Sequence, residues 1–224
     1  MTTTIRRPVA LAAAALMLFA ILVAATPSEA GHPGDNGPLF YSDGTDVYTV
    51  NSNGSGQVTT PVGKLNGFDV SPDGTKVVGA VTDDMNPIGP VVIVDLATGD
   101  KTTIHPAGVS AVFSGDGTRV AFAAEGGMYV HEVGVSGYEL VDPGVNWVWD
   151  WSPVDNRVLV TRNIENPQPT LPSVSLETVD VETKATVVIE DNDDGAFTWY
   201  PSGADFSPTG PRSSTPRTPR ATPR

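Results

Sequence analysis

Phe68-Asp69-Val70-Ser71-Pro72-Asp73-Gly74-Thr75-Lys76-Val77 is the stretch on which the fold turns. It returns as Val112-Phe113-Ser114-Gly115-Asp116-Gly117-Thr118-Arg119-Val120 and, more loosely, as Trp149-Asp150-Trp151-Ser152-Pro153-Val154-Asp155-Asn156-Arg157-Val158. A last copy, Ala204-Asp205-Phe206-Ser207-Pro208-Thr209-Gly210, runs into Pro211-Arg212-Ser213-Ser214. Each copy sets large apolar residues before a tight turn. Proline at the second turn position presets φ, and glycine closes the turn. β-Branched residues then resume, as in Val77-Val78-Gly79-Ala80-Val81, which is the composition of a strand.

The repeat serines, Ser71, Ser114, Ser152 and Ser207, lie 43, 38 and 55 residues apart. Short strands repeating every ~40–50 residues predict a propeller with one four-stranded blade per repeat. In the second blade Gly67–Val70 is the inner strand, Val77–Val81 the second and Val91–Val94 the third. Leu96-Ala97-Thr98-Gly99-Asp100 then turns the chain into an outer strand, Lys101–Ile104. No 3.6-residue apolar period occurs beyond the N-terminal segment, so the fold class expected is all-β. The fourth blade carries a proline-rich loop, Asn163 to Ser173, that cannot join a ladder. At the start, Pro38–Ser42 and Asp46–Val50 match second and third strands, with no inner strand before them.

Residues 1–30 read as a signal peptide: Arg6 and Arg7, an apolar run from Val9 to Ala25, then small residues leading to a cut near Ala30. A retained membrane anchor is the alternative, because the run approaches spanning length; cleavage leaves no membrane insertion. The chain has no cysteine, which excludes disulfides, thiol chemistry and lipoprotein anchoring. Residues 31–210 hold 7 basic and 25 acidic residues, a net charge of −18. Such a body disfavours nucleic acid and anionic membranes as partners.

Gly37-Pro38-Leu39-Phe40-Tyr41-Ser42-Asp43-Gly44, followed by Asp46-Val47-Tyr48-Thr49-Val50-Asn51-Ser52-Asn53-Gly54-Ser55-Gly56, resembles the repeat of TolB-type propellers, and Ser71–Lys76 belongs to the same WD-like repeat pattern. The resemblance covers about residues 36–210. It implies six or seven blades, with the first and last sharing strands from both termini; about four are present here. It also implies a binding or scaffolding protein of the cell envelope, secreted or periplasmic, whose partner is a protein or envelope ligand. The alternative is the propeller of a larger prolyl-oligopeptidase-like hydrolase whose catalytic domain lies elsewhere. Residues 31–210 are thus expected to form a partial, open propeller of antiparallel blades; the alternative is a ring closed at four blades, with Ala204–Ser207 as the inner strand beside Leu39–Ser42. Residues 211–224, rich in Pro, Arg, Ser and Thr, are expected to be disordered, either as a genuine basic tail or as the product of a frame slip.

Chemistry is sparse. No Gly-x-Ser-x-Gly elbow occurs, and His32, His105 and His131 show no ligand spacing, so no catalytic residue and no enzyme activity are expected. Glu190-Asp191-Asn192-Asp193-Asp194-Gly195 resembles a calcium loop, but its twelfth position is Pro201 in place of a bidentate glutamate. Asp191, Asp193 and Asp194 therefore remain weak candidates for Ca2+, and no cofactor is otherwise expected. Two residues before the repeat serines stand Asp69, Val112, Asp150 and Asp205. Alternation places the three aspartates at the channel edge, where their repulsion would favour a cation or amine. Hydrogen bonding of each to its own turn is the other reading. Trp147 and Trp149 share a strand with Trp151, which is expected to be buried; the first two are the candidates for ligand contact at the mouth.

Overall fold

The computed structural model describes residues 38–83, 86–164, 173–191 and 203–207. The expected signal peptide, the 211–224 tail, and Asp193 and Asp194 lie outside the described residues, and so does the side chain of Asp191. Among the described residues there are fourteen strands and no helix long and apolar enough to cross a membrane.

The first blade is three-stranded: β1 (Leu39–Ser42), β2 (Val47–Val50) and β3 (Val58–Thr59), antiparallel in that order. The second consists of β4 (Leu65–Val70), β5 (Lys76–Val81), β6 (Gly89–Asp95) and the first half of β7 (Lys101–Phe113). The second half of β7 opens the third blade and pairs with β8 (Arg119–Ala124), followed by β9 (Gly127–Glu132) and β10 (Glu139–Pro143). The fourth is β11 (Val145–Trp151), β12 (Arg157–Ile164), β13 (Ser173–Asp180) and β14 (Thr186–Asp191).

The outer strand of the second blade is longer than the sequence indicates. It continues through Pro106 and Gly108 into the inner strand of the third, so two blades share one thirteen-residue strand. Gly108 pairs with Gly89 on one side and Ala124 on the other. A Cβ there would meet Val91 Cγ2 at 2.5 Å and Ala123 O at 2.8 Å, which explains glycine at the crossover. At the next crossover Gly144, with φ +83°, separates β10 from β11.

Each junction between blades buries one apolar cluster. Val47, Val62, Leu65, Val77, Val92 and Val94 join the first blade to the second. Val78, Val91, Ile93, Ala111, Phe113 and Phe122 join the second to the third. Met128, Val141, Val148, Trp151, Val160 and Val179 join the third to the fourth. The described residues therefore form four blades of an incomplete propeller: three junctions are packed, and no core cluster among these residues joins the fourth blade to the first.

The repeat phrase folds as a self-contained hydrogen-bonded turn. Ser71 Oγ donates to Asp73 Oδ1 at 2.6 Å and accepts the Lys76 amide at 2.9 Å, while Thr75 N and Oγ1 both donate to Asp73 Oδ1. Ser114, Asp116, Thr118 and Arg119 repeat this set with the same spacings. These bonds hold the Asp73 and Asp116 carboxyls down at about 2. Gly115, where proline is expected, faces the neighbouring turn; a Cβ there would come within 3.0 Å of Pro153 Cα.

Candidate functional site

The inner strands bring the singled-out residues together by breaking strict alternation. On β11 the buried positions are Val145, Val148 and Trp151, three apart. Register shifts between Val145 and Trp147, and between Val148 and Asp150, mark two bulges that account for the spacing. Trp151 is buried as expected, with the Arg119 guanidinium 5.0 Å from its ring centroid. Trp147 and Trp149 are half-buried neighbours with ring centroids 5.5 Å apart. Trp149 Nε1 is buried, and it alone among the described buried side-chain polar atoms has no hydrogen-bond partner.

Asp69 and Asp150 take a role that neither sequence reading contained. Asp69 Oδ2 accepts the amide of Phe113, on the inner strand of the next blade, at 2.8 Å, and its Oδ1 accepts Val70 N at 2.7 Å. Asp150 Oδ2 accepts the amide of Phe206 at 2.6 Å. The same rule holds in both cases. The aspartate two residues before one repeat serine binds the amide one residue before the next. These side chains tie adjacent inner strands to each other. The third blade has Val112 at this position, and a different tie replaces the missing one: Ser110 Oγ accepts Val148 N at 3.0 Å.

The three carboxylates do lie in mutual range. Burial pushes Asp69 up to about 6 against the two amide bonds that pull it down, and the charges of Asp150 and Asp205 push in the same direction. Burial also raises Asp150, with Asp205 adding to the effect. Asp205 is exposed, and among the described residues it has no amide from a further strand. Among the described residues no group of three or more His, Asp or Glu side chains stands ready to hold a metal ion.

Other polar groups are occupied by structure. His131 Nδ1 donates to Gly137 O at 2.7 Å. His105 stacks in a ring cluster with Phe122, Tyr129 and Tyr138, at centroid distances of 4.8–5.6 Å. Between the third and fourth blades Arg162 bridges two buried carboxylates, Asp142 at 2.8 Å and Glu177 at 3.1 Å, and donates to Pro143 O. Sequence reasoning missed this triad and the Ser110 tie. The three charges are 15 to 35 residues apart, and nothing local distinguishes them from surface residues.

No family model matches the chain, and no curated protein matches it. Solved structures do. A putative TolB from Agrobacterium tumefaciens superposes with a TM-score of 0.50 at 18% identity, over 65% of this chain and 56% of that one. TolB from Acinetobacter baumannii gives 0.52 at 15% identity, over 69% and 40%. A structure from a study of two prolyl endopeptidases gives 0.48 at 13% identity, over 71% and 29%. The chain thus spans about half the length of the TolB structures it matches. At these identities the likeness is one of fold alone: the described residues form part of a β-propeller, as the matched region of the TolB structures does.

Proposed function

We propose that the chain is an exported, non-enzymatic propeller that binds a peptide or envelope ligand at its inner strands, around Trp147, Trp149, Asp150 and Asp205. The observation that carries this reading is the buried, unpartnered indole N–H of Trp149, beside a second half-buried tryptophan and close in sequence to Asp150. A buried donor without an acceptor costs about 1–3 kcal/mol, and a ligand carbonyl arriving there would recover that cost. Aromatic anchors with a polar tip are the residues that dominate binding surfaces. The carboxylates supply preference for a cationic or amine-bearing ligand, because the raised Asp150 gains from any positive charge brought near it. The hydroxyls of Ser71 and Ser114 and the ring of His131 are bonded into their own turns and strands, which favours a structural role for these three.

The test is an NMR titration that follows the Trp149 indole N–H with two probes, a Gly-Lys-Gly-Lys peptide and a Gly-Glu-Gly-Glu peptide. The lysine peptide is expected to shift the Trp149 indole resonance saturably, and the glutamate peptide to leave it in place. Trp149→Phe should abolish saturable binding, and Asp150→Asn should weaken it. An indole resonance unmoved by either peptide, or moved equally by both, overturns the reading.

A further inference from the structure

The hairpin that joins β2 to β3 reads Asn51-Ser52-Asn53-Gly54-Ser55-Gly56, and all of it is exposed. Within it the side-chain oxygen of Asn53 accepts two hydrogen bonds from one residue, Ser55 N at 2.9 Å and Ser55 Oγ at 2.7 Å. A backbone N–H can only donate, so the atom it faces is the amide oxygen of Asn53 and not the nitrogen. Asn51 Nδ2 donates in turn to Ser55 Oγ at 3.2 Å, which leaves the hydroxyl proton for Asn53. The residue after Asn53 is Gly54, with φ +80° and open space where a Cβ would stand. Glycine sets no side chain in the way of its own nitrogen, and its backbone turns freely.

Two donors converging on one carbonyl oxygen stabilise the negative charge that develops there when the carbonyl carbon is attacked. The nitrogen nearest along the chain is Gly54 N, which closes a five-membered ring through Asn53 C, Cα, Cβ and Cγ; an attack within one chain needs no encounter. We propose that Asn53 is a site of self-modification, at which Gly54 N bonds to Asn53 Cγ while Ser55 holds the oxyanion. The Gly54 amide proton passes to solvent, and the side-chain nitrogen takes up a proton and leaves as ammonia. Water then opens the cyclic imide at either carbonyl, giving aspartate or an aspartate linked through its side-chain carboxyl. In sum, asparagine and water become aspartate or isoaspartate and ammonia, with no oxidant or reductant. Gly54 N donates to Asn51 O at 2.8 Å, and this turn bond must open first. Ser55 does not react; it is a positioning residue. Asn66-Gly67 has the same residue types in a different setting. Asn66 pairs with Ala80 in the β4–β5 ladder, and a Cβ on Gly67 would lie 2.5 Å from Ser110 Cβ and 2.9 Å from Val109 O, so the backbone there has no room to turn. Asn36-Gly37 lies outside the described residues. Modification adds one negative charge to a chain of net charge −13. The side-chain linkage also lengthens the hairpin by one main-chain atom. β3 pairs with β2 at Tyr48–Thr59 and Thr49–Val58 alone, so it is the strand that a lengthened turn loosens.

The experiment incubates the purified 224-residue chain in mildly alkaline buffer, folded and in urea, and follows each Asn-Gly pair by peptide mapping with mass spectrometry. Labelling by an isoaspartyl methyltransferase identifies the side-chain-linked product. In the folded chain Asn53 is expected to convert while Asn66 stays intact; in urea both convert. Ser55→Ala should slow conversion at Asn53 about fivefold in the folded chain, the effect of losing one net hydrogen bond, and should change little in urea. Ser55→Thr, which keeps the hydroxyl, should restore the parent rate. A variant that merely loosened the turn would convert faster, not slower. The contrast between Asn53 and Asn66 is read in the unaltered chain, so it stands even where a variant folds poorly. Asn53 intact in the folded chain after the urea sample has converted, Asn66 converting as fast as Asn53 in the folded chain, or a Ser55→Ala rate that does not fall or falls as much in urea each overturns the proposal.

Discussion

The aspartates on the chain fall into two groups with opposite responses to pH. Asp73 and Asp116 are held at about 2 by hydroxyl and amide donors within their own turns. Their contribution to stability is present above the ordinary carboxylate value of 3.8 and is lost as pH falls towards 2. Asp69 behaves in the reverse sense, because burial raises it to about 6. The folded protein holds this proton more tightly than the unfolded chain does. Its contribution is full below about pH 4 and is lost as pH rises to about 6, by up to about 3 kcal/mol. Urea midpoints measured from pH 2 to 8 are therefore expected to peak near pH 4. Asp69→Asn should remove most of the decline between pH 4 and 6, leaving the smaller part due to Asp150. A profile for Asp69→Asn that parallels the parent would show that the carboxyl does not titrate in that window. The turn aspartates were legible in the sequence because every partner lies within five residues. The role of Asp69 was not, because its partner is 44 residues away and is a backbone amide, which no residue type announces.

Lys184 is the one non-glycine residue with positive φ, at 60°, among the described residues. It sits at the turn position that Gly99 holds in the second blade, and both amides donate to the aspartate carbonyl four residues back at 2.8 Å. The left-handed conformation costs a lysine about 1–2 kcal/mol. Its ion pair with Glu139, at 2.6 Å, joins two exposed side chains and offsets only about 0.2–1 kcal/mol. Lys184→Gly should therefore raise stability by roughly 0.5–1 kcal/mol, read as a higher urea midpoint with an unchanged slope. An unchanged or lower midpoint would mean that the Glu139 pair contributes more than exposed pairs ordinarily do.

At the scale of elements, the blades are joined by polar ties as well as by apolar clusters, and the two differ in what breaks them. Arg162 on β12 holds Asp142 of β10 and Glu177 of β13, with Ser175 Oγ donating to Glu177 at 2.5 Å and Thr186 Oγ1 donating to Asp142 at 3.2 Å. Removing the guanidinium leaves two carboxylates buried without a counter-charge, a loss of about 3–5 kcal/mol. Arg162→Met is expected to fall by that amount, and adding Asp142→Asn and Glu177→Gln should recover much of it. Equilibrium unfolding of the single and triple variants separates this from a packing defect, which removing the two charges would not repair. The strands themselves were readable, since turn chemistry and β-branched runs are local. The bulges on β4, β7 and β11 were not, because an extra residue follows from the curvature of the inner strand and not from its composition. That is why Trp147 and Trp149 end as half-buried neighbours while burial on β11 follows a spacing of three.

For the whole molecule, stability should grade along the row of blades. Each blade contacts only its neighbours, so a blade flanked on both sides is held by two clusters and an end blade by one. The second and third blades are further linked by β7, whose two halves belong to both. The first blade has the least to hold it: β3 is two residues long, β1 has an open edge, and one cluster anchors it. Amide hydrogen exchange at low protein concentration should therefore release β1 to β3 first and the β7–β8 ladder last, with the latter reporting global unfolding. Exchange that releases β8 as early as β1 would mean that the row opens as one unit and that the first blade is held as firmly as the middle ones.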